Sequence, residues 1–351
     1  MTRFGIAGSG RISEWVLTGA VLDPRFKAVA VCSRQEHTAF AFIHKHPEWF
    51  DPGTRAFDSI GRMAACPDVD AIYIGTPNST HFDYAMAAIR AGKHVLCEKP
   101  LACNERQVRT LCDAARSNRV LLMEAMVSTL QPAFVTARQA LPQIGTLRHV
   151  SASFCQYSSK YENLQRGILA SAVDPAMGGG ALEDIGIYTV FPLVALFGAP
   201  DSVDGAHMMY MDTPNGPVDM QGDALLHFPG EDGMGFSAHL SWSKICDGFA
   251  PTEICGEGGN ILLDSLHIAH KATLVPHGQP SSGRGGRPSG IVLHDSMGSS
   301  GTQATDPYYY EFKEFLDTLD AGLGQSPVNS LQVSLTTRQV MDRIKNPGRS
   351  I

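Results

Sequence analysis

Short apolar runs alternate with amphipathic stretches along the first third of the chain. The runs occupy residues 4–7, 27–32, 55–57, 71–76, 94–97 and 120–123, and stretches with helical spacing lie between them. The clearest helical stretch is 105–117, where Val108, Leu111, Cys112 and Ala115 fall on one face at the i, i+3, i+4, i+7 spacing. Asn104 stands at the N-cap position and Gln107, three residues on, completes a capping box. Almost continuously apolar strands joined by crossover helices predict a parallel sheet covered on both faces.

After about residue 125 the rhythm changes. A helix near 132–141 is followed by a long alternating strand, 147–157, and a helix near 180–197. Strand-like runs then follow one another at 202–211, 220–227, 234–242, 252–255 and 260–263, joined by turn residues rather than crossovers. That succession predicts a large, mostly antiparallel, open-faced sheet. The seam falls near 124, giving a doubly wound α/β domain over 1–124 and an α+β domain over 125–351. A length of 351 residues accommodates two cores more readily than one. Residues 276–303, rich in Gly, Ser and Pro, predict a loop with one apolar run at 291–293. Residues 308–319 and 330–344 predict closing helices, the last able to pack back on the first domain.

Composition narrows the function. The chain is 43% hydrophobic and 18% charged, with a net charge of -7 and no basic run, which argues against nucleic acid as the main partner and for a small molecule. The opening MTRFGIAGSG passes directly into an apolar strand without a long h-region, and no window reaches about 18 uninterrupted apolar residues. The expectation is a soluble cytoplasmic protein with no membrane span. Eight cysteines are scattered without a C-x-x-C pair, so reduced thiols are expected, with no disulfide framework and no metal. His44 and His46 form an H-x-H pair that reads as a surface helix end rather than a metal site. The Asn78-Ser79-Thr80 sequon reads as coincidence in a chain with no secretory signal.

Candidate chemistry begins at Gly5-Ile6-Ala7-Gly8-Ser9-Gly10-Arg11-Ile12-Ser13, where a strand ends in G-x-G-x-x-S and a helix begins. Gly8 permits the tight turn, Gly10 lets backbone approach a pyrophosphate, and the helix start offers free N–H groups and a positive dipole end. Its placement inside a repeated βα pattern favours dinucleotide binding by Gly8, Ser9, Gly10, Arg11 and Ile12 over a plain glycine turn. The second strand ends in Ser33-Arg34 rather than in an acidic residue. A hydroxyl and a planar guanidinium suit the 2′-phosphate of NADP, with NAD still possible; the alternative is a surface-loop arginine. The fourth strand ends in Thr76-Pro77-Asn78-Ser79-Thr80-His81, whose small and turn-forming residues let a cofactor cross the sheet; Thr76, Pro77, Asn78 and His81 join the binding set. Asn78 or Ser79 is expected to cap the following helix. The fifth strand ends in Glu98-Lys99-Pro100, a charged pair that stability does not require. Glu98 reads either as a ligand of the nicotinamide ribose or as a solvated strand-end carboxylate. Pro100 biases Lys99 toward extended geometry, and a cis Lys99-Pro100 bond is the other conformation open there.

With GIAGSGRIS, GTPNSTH and CEKP in order, followed by a strand-rich second half, the chain resembles the Gfo/Idh/MocA oxidoreductases, the glucose-fructose oxidoreductase and inositol dehydrogenase family. The resemblance covers nearly the whole chain. It implies that Lys99 lies beside the nicotinamide and the substrate, and that Gly180-Ala181-Leu182-Glu183-Asp184-Ile185-Gly186-Ile187-Tyr188 carries further catalytic groups. The family commonly has Asp-x-x-x-His there; this chain has Asp184-x-x-x-Tyr188. That variant, with Met123-Glu124-Ala125-Met126 and Ser33-Arg34, looks closest to the dimeric dihydrodiol dehydrogenases and NADP-dependent xylose dehydrogenases. Where that branch often carries an aromatic and an arginine after Glu-Ala-x, this chain reads Met126-Val127-Ser128-Thr129.

The reaction this implies is reversible hydride transfer between NADP and a hydroxyl of a sugar, cyclic polyol or diol, with Lys99, Asp184 and Tyr188 as the catalytic set. Four residues apart in a helical window, Asp184 and Tyr188 project from one face, with Gly186 between them marking a close approach or ordinary helix packing. Bringing a tyrosine from near 10 to about 7 takes about 4 kcal/mol. An ammonium about 4 Å away at an effective dielectric of about 20 supplies a similar amount. Either Lys99 or Tyr188 can then take the proton, and Asp184 positions the substrate or Lys99. Tyr157, Lys160 and Tyr161 follow the long strand and stand as candidate pocket residues. The other readings are a catalytically silent NADP-sensing regulatory protein and an NAD-dependent glycosidase on the same fold. A strand-rich face without crossover helices predicts a homodimer formed through the second-domain sheet.

Overall fold

The computed structural model describes residues 1–230, 232–278, 290–297 and 306–346. Two compact units emerge: Met1–Val127 with the described part of Thr305–Arg338, and the described residues of Ser128–Ala304 and Gln339–Ile351.

The first unit is built on six parallel strands, β1 (Thr2–Ala7), β2 (Phe26–Cys32), β3 (Arg55–Phe57), β4 (Ala71–Ile74), β5 (His94–Glu98) and β6 (Leu122–Ala125), in the order β3-β2-β1-β4-β5-β6. The strands are linked by α1 (Arg11–Ala20), α2 (Glu36–Lys45), α3 (Ile60–Ala64), α4 (Asn78–Arg90) and α5 (Glu105–Asn118). The doubly wound order reverses between β1 and β4, and the carboxyl ends flanking such a switch point form the crevice in which ligands lie. Local signals account for several boundaries. Asn104 Oδ1 accepts the Gln107 N–H (3.0 Å), and Gln107 Oε1 accepts the Cys103 N–H (3.2 Å), so the box closes one residue earlier than the usual pattern. The apolar stripe Val108, Leu111, Cys112 and Ala115 is buried as its spacing predicted.

The later segment α9 (Pro307–Asp320) returns to this unit, although the sequence pattern assigned 125–351 to the second domain apart from the last helix. The reason is aromatic packing. Phe312 and Phe315 lie with Phe4 and Phe26 at ring separations of 4.9 to 5.7 Å, and Phe4, Phe312 and Phe315 are wholly buried. Gly19 on α1 makes room for it, since a Cβ there would stand 2.4 Å from the Tyr309 nitrogen.

The second unit contains an eight-stranded sheet formed from β7 (Leu147–Cys155), β8 (Ser202–Thr213), β9 (Gly216–Phe228), β10 (Phe236–Ser243), β11 (Thr252–Gly256), β12 (Gly259–Leu263), β13 (Lys271–Pro276) and β14 (Ile291–Asp295). Its order is β14-β13-β12-β11-β7-β10-β9-β8, antiparallel except for the β7–β10 pair. The apolar run at 291–293 lies in β14; 279–289 and 298–303 of the expected loop are outside the described residues. Helices α6 (Pro132–Ala140) and α8 (Ile187–Phe197) cover one face, α6 over β12 to β14 and α8 over β7 and β10. The opposite face carries the exposed side chains of His149, Asp223, Leu225 and His239. A short helix, α7 (Ser159–Gln165), follows β7, and α10 (Leu331–Lys345) ends the described chain. Pro175–Phe197 is long and apolar enough to cross a membrane by composition, but 78% of its most apolar window is buried, as in the core helix of a soluble fold.

Candidate active site

In the first unit, the groups singled out in the sequence gather at the carboxyl ends of β1, β2, β4 and β5. Gly8 has φ +112°, and a Cβ there would stand 2.4 Å from the Gly75 carbonyl oxygen, so both turn and neighbour demand glycine. Gly10 is extended, and a Cβ there would meet nothing within 4 Å. It opens onto free space at the start of the ten-residue α1, whose first N–H groups have no intrahelical acceptor. This donor-rich cradle fits a pyrophosphate. Arg11 is exposed and Ile12 half-buried at the helix entrance. Ser9 Oγ donates to Ser33 Oγ (3.3 Å), drawing the loop to the end of β2, where Arg34 is exposed.

At the end of β4, helix α4 starts at Asn78, and Pro77 occupies the N-cap position with no side-chain cap. Neither Asn78 nor Ser79 therefore caps it as expected, because both already belong to its first turn. Instead Thr80 Oγ1 bonds to the Pro77 carbonyl and to Thr76 Oγ1, each at 2.7 Å. His81 is wholly buried, with Nδ1 2.8 Å from the Pro100 carbonyl and Nε2 2.8 Å from the Thr76 carbonyl. Burial lowers its pKa, and a neutral ring donates through one nitrogen at a time, so His81 links the loop after β4 to the loop after β5 from within the protein.

The Glu98-Lys99-Pro100 turn follows β5, and the Lys99-Pro100 bond is cis. Lys99 is half-buried. Glu98 is buried and accepts the Tyr73 hydroxyl at 2.9 Å, which removes the solvated strand-end reading. Burial, and then the charge of Glu98, hold the Tyr73 phenol well above its ordinary range, so it stays a donor. Glu311 of α9 is also buried; burial, and then Glu98, push its carboxyl far up, toward the neutral acid. One strand further on, Glu124 Oε1 accepts the Leu101 N–H at 2.9 Å, and burial pushes its carboxyl up to about 7. Tyr73 and Glu311 carried no sequence signal beyond apolar surroundings.

The second unit presents Asp184 and Tyr188. From Ala181 to Val194 every residue is buried except these two, which are half-buried, so this stretch leaves only its polar pair partly open. The helix expected over 180–197 is not regular: Leu182–Gly186 forms a π-helical turn that runs into α8. Such turns recur at functional sites. Asp219 accepts the Leu182 N–H at 2.7 Å, and Gly180, with φ +138°, makes way for it, since a Cβ there would stand 2.2 Å from Asp219 Oδ1. Gly186 marks a close approach: a Cβ would sit 2.9 Å from Leu182 Cδ1 and 3.0 Å from the ring of the wholly buried Trp242. A Cβ at Gly222 on β9 would stand 2.5 Å from the same ring. The indole is thus clasped between two glycines from distant segments.

Both acids of this turn have lysine partners: Glu183 pairs with Lys345, and Asp184 with Lys244. Tyr188 packs edge-on against Phe154 (5.6 Å) and His267 (4.3 Å), and those two rings stack at 4.7 Å. Of the candidate pocket residues, Tyr161 packs toward Val173, Val218 and Met220 and meets Tyr157 edge-on at 5.8 Å, while Tyr157 is exposed and Lys160 half-buried. Lys244, Trp242 and His267 were not singled out in the sequence. The only local signal for Lys244 was its position just past a strand end, the position that drew notice to Lys99. His46, of the H-x-H pair, stacks on Trp49 at 4.1 Å and contacts Glu14 and Glu48.

A glycine cradle at the switch point of a doubly wound sheet defines a dinucleotide-binding protein, here carrying a lysine at a strand end and a separate acid and phenol pair. An oxidoreductase family model with an NAD-binding Rossmann fold matches residues 2–126, and the GFO/IDH/MocA C-terminal domain matches residues 134–262. The chain belongs to the GFO/IDH/MocA oxidoreductase family, and its cofactor is a nicotinamide dinucleotide. It is 35% identical to an NADP(+)-dependent scyllo-inositol 2-dehydrogenase of Bacillus subtilis (strain 168), over 98% of this chain and 96% of that protein. It is 31% identical to the trans-1,2-dihydrobenzene-1,2-diol dehydrogenase of Xenopus laevis, over 97% and 96% of the two chains. In fold it resembles a 3-ketoreductase from Actinomadura kijaniata solved with NADP and TDP-benzene, with a TM-score of 0.80 at 23% identity, over 100% of this chain and 98% of that one.

Proposed function

We propose that the protein is an NADP-preferring dehydrogenase or reductase that acts on a secondary hydroxyl of a sugar, cyclic polyol or diol, or on the corresponding carbonyl. The observation that carries this reading is that Asp184 and Tyr188 alone are left partly open on the otherwise buried stretch 181–194, in a chain whose nucleotide-binding unit carries Lys99 directly after β5. Its support includes two relatives of more than 30% identity that are named for an inositol and a cyclic diol. When bound, the nicotinamide supplies the hydride donor or acceptor. The chain's own groups deal with the proton and the substrate. Lys99 and Tyr188 are assigned to the hydroxyl proton, and Asp184, as a carboxylate, accepts hydrogen bonds from neighbouring hydroxyls. The Ser9–Ser33 hydroxyl pair and the exposed Arg34 supply donors for a 2′-phosphate, which favours NADP.

The test begins with a panel of aldoses, ketoses, inositols and dihydrodiols, scored by NADPH and NADH formation and oxidation. On the substrate so found, Lys99→Met should abolish turnover while leaving NADP affinity within about severalfold, because removing a proton-handling group affects the reaction more than cofactor binding. Undiminished turnover in that variant would refute the assignment. A wild-type protein that binds NADP yet turns over nothing in the panel would favour a sensor over an enzyme.

A further inference from the structure

Building on the polyol reading, we infer that Lys244 is a positioning residue of the substrate site, holding Asp184 ionised and aimed at substrate hydroxyls. Lys244 follows β10 directly. Its backbone is fixed on both sides, the N–H donating to the Met220 carbonyl at 2.8 Å and the carbonyl accepting from the Ser158 N–H at 3.0 Å. Its ammonium bonds Asp184 Oδ2.

The exposure of the two partners gives this pair its meaning. The Lys244 side chain is 4% exposed and that of Asp184 33%. The cation is buried and the anion faces outward, beside Tyr188. Glu183, the adjacent acid in the same turn, shows the opposite arrangement, its side chain 3% exposed and that of its partner Lys345 32%. The Glu183–Lys345 pair therefore buries its carboxylate and serves as a strap for the turn. The Asp184–Lys244 pair leaves its carboxylate within reach of a ligand. Burying an ammonium is costly unless a carboxylate compensates it. Leaving the carboxylate partly exposed spares its desolvation cost and also keeps it open to a ligand, which a buried carboxylate such as Glu183 is not. A carboxylate fixed in this way accepts only, which suits a substrate with hydroxyls next to the reacting carbon.

Ionisable groups among the described residues around the turn include Glu183 and Lys345, Asp219 from β9, Tyr188 from α8, and His267 beside it. Lys244 is a cation in direct contact with the Asp184 carboxylate. Its removal therefore acts on Asp184 directly.

The experiment compares Lys244→Met, Lys244→Arg and Lys345→Met with the wild type on the best polyol of the panel. Lys244→Met should raise KM for the polyol by about tenfold or more, as expected for a charge-assisted contact that loses its orientation. It should leave NADP affinity unchanged and move the acid limb of kcat/KM upward in pH, since a carboxylate that loses its cation protonates more readily. Lys244→Arg should recover most of the KM and the acid limb. Lys345→Met should lower thermal stability and move neither. A folded Lys244→Met with the wild-type KM and pH profile overturns the inference and leaves the polyol reading standing, provided Lys99→Met is inactive. Should Lys244→Met fail to fold, Lys244→Gln serves in its place: a raised KM with the acid limb moved upward supports the inference, and a wild-type profile overturns it. A wild-type protein inert toward the whole panel overturns both.

Discussion

Replacing Glu124 by glutamine isolates the energetic cost of one buried carboxylate behind the turn that follows β5. Glu124 is 2% exposed, and its Oε1 accepts the N–H of Leu101, two residues after Lys99. Burial raises its pKa from the ordinary 4.5 to about 7. With the folded value above the unfolded one, the folded state prefers the protonated acid. The stability this contributes is fully present below about pH 4.5 and is lost as pH rises through about 7. A displacement of about 2.5 units corresponds to about 3 kcal/mol over the whole window, of which about 2 kcal/mol falls between pH 5.5 and 8. Glutamine keeps an acceptor oxygen for Leu101 and cannot ionise. Urea denaturation of wild type and Glu124→Gln at both pH values should therefore show the variant gaining about 2 kcal/mol relative to wild type at the higher pH. Taking the difference cancels every other titrating group common to the two proteins. A difference constant within about 0.5 kcal/mol across that range would mean that Glu124 is not held as a buried acid, since additive errors are no larger than this.

Two further predictions concern cofactor and assembly. Arg34→Ala should weaken NADP binding by about tenfold or more and leave NAD binding nearly unchanged, measured by fluorescence titration, if the guanidinium serves the 2′-phosphate as proposed; equal losses for both cofactors would remove it from that role. The uncovered sheet face bearing His149, Asp223, Leu225 and His239 should be covered by a second copy of the chain, giving a light-scattering mass near twice 37.8 kDa. Leu225→Asp should then shift the mass toward the monomer, and a monomeric wild type at micromolar concentration would refute the interface.

Much of the nucleotide-binding unit was legible because its determinants are local. The run from Phe4 to Gly10 encodes a buried strand, a left-handed turn and a helix start within seven residues, each step limited by backbone sterics. Asn104 and Gln107 fixed the start of α5 over four residues. The Glu98-Lys99-Pro100 turn stood out because a charge pair and a proline at the end of a buried strand run against strand chemistry. The cap of α4 was misread because Pro77, Asn78 and Ser79 all favour helix starts, and only the backbone path decides which lies outside the helix.

The sequence by itself determined the alternation of strands and helices and the glycine turn, and it marked Lys99 as a charge out of keeping with a plain strand end, whereas Asp184 and Tyr188 entered through the family resemblance. The tertiary structure decided what surrounds them. Glu98 meets Tyr73, 25 positions away; Asp184 meets Lys244, 60 positions away; and Trp242 sits between Gly186 and Gly222. Phe312 and Phe315 return α9 to the first strand from the far end of the chain. Periodicity reports which face of an element is apolar, but not which other face it meets. Burial, and with it the charge state of a carboxylate such as Glu124, depends on that second face and becomes defined only when the sheets and helices are packed.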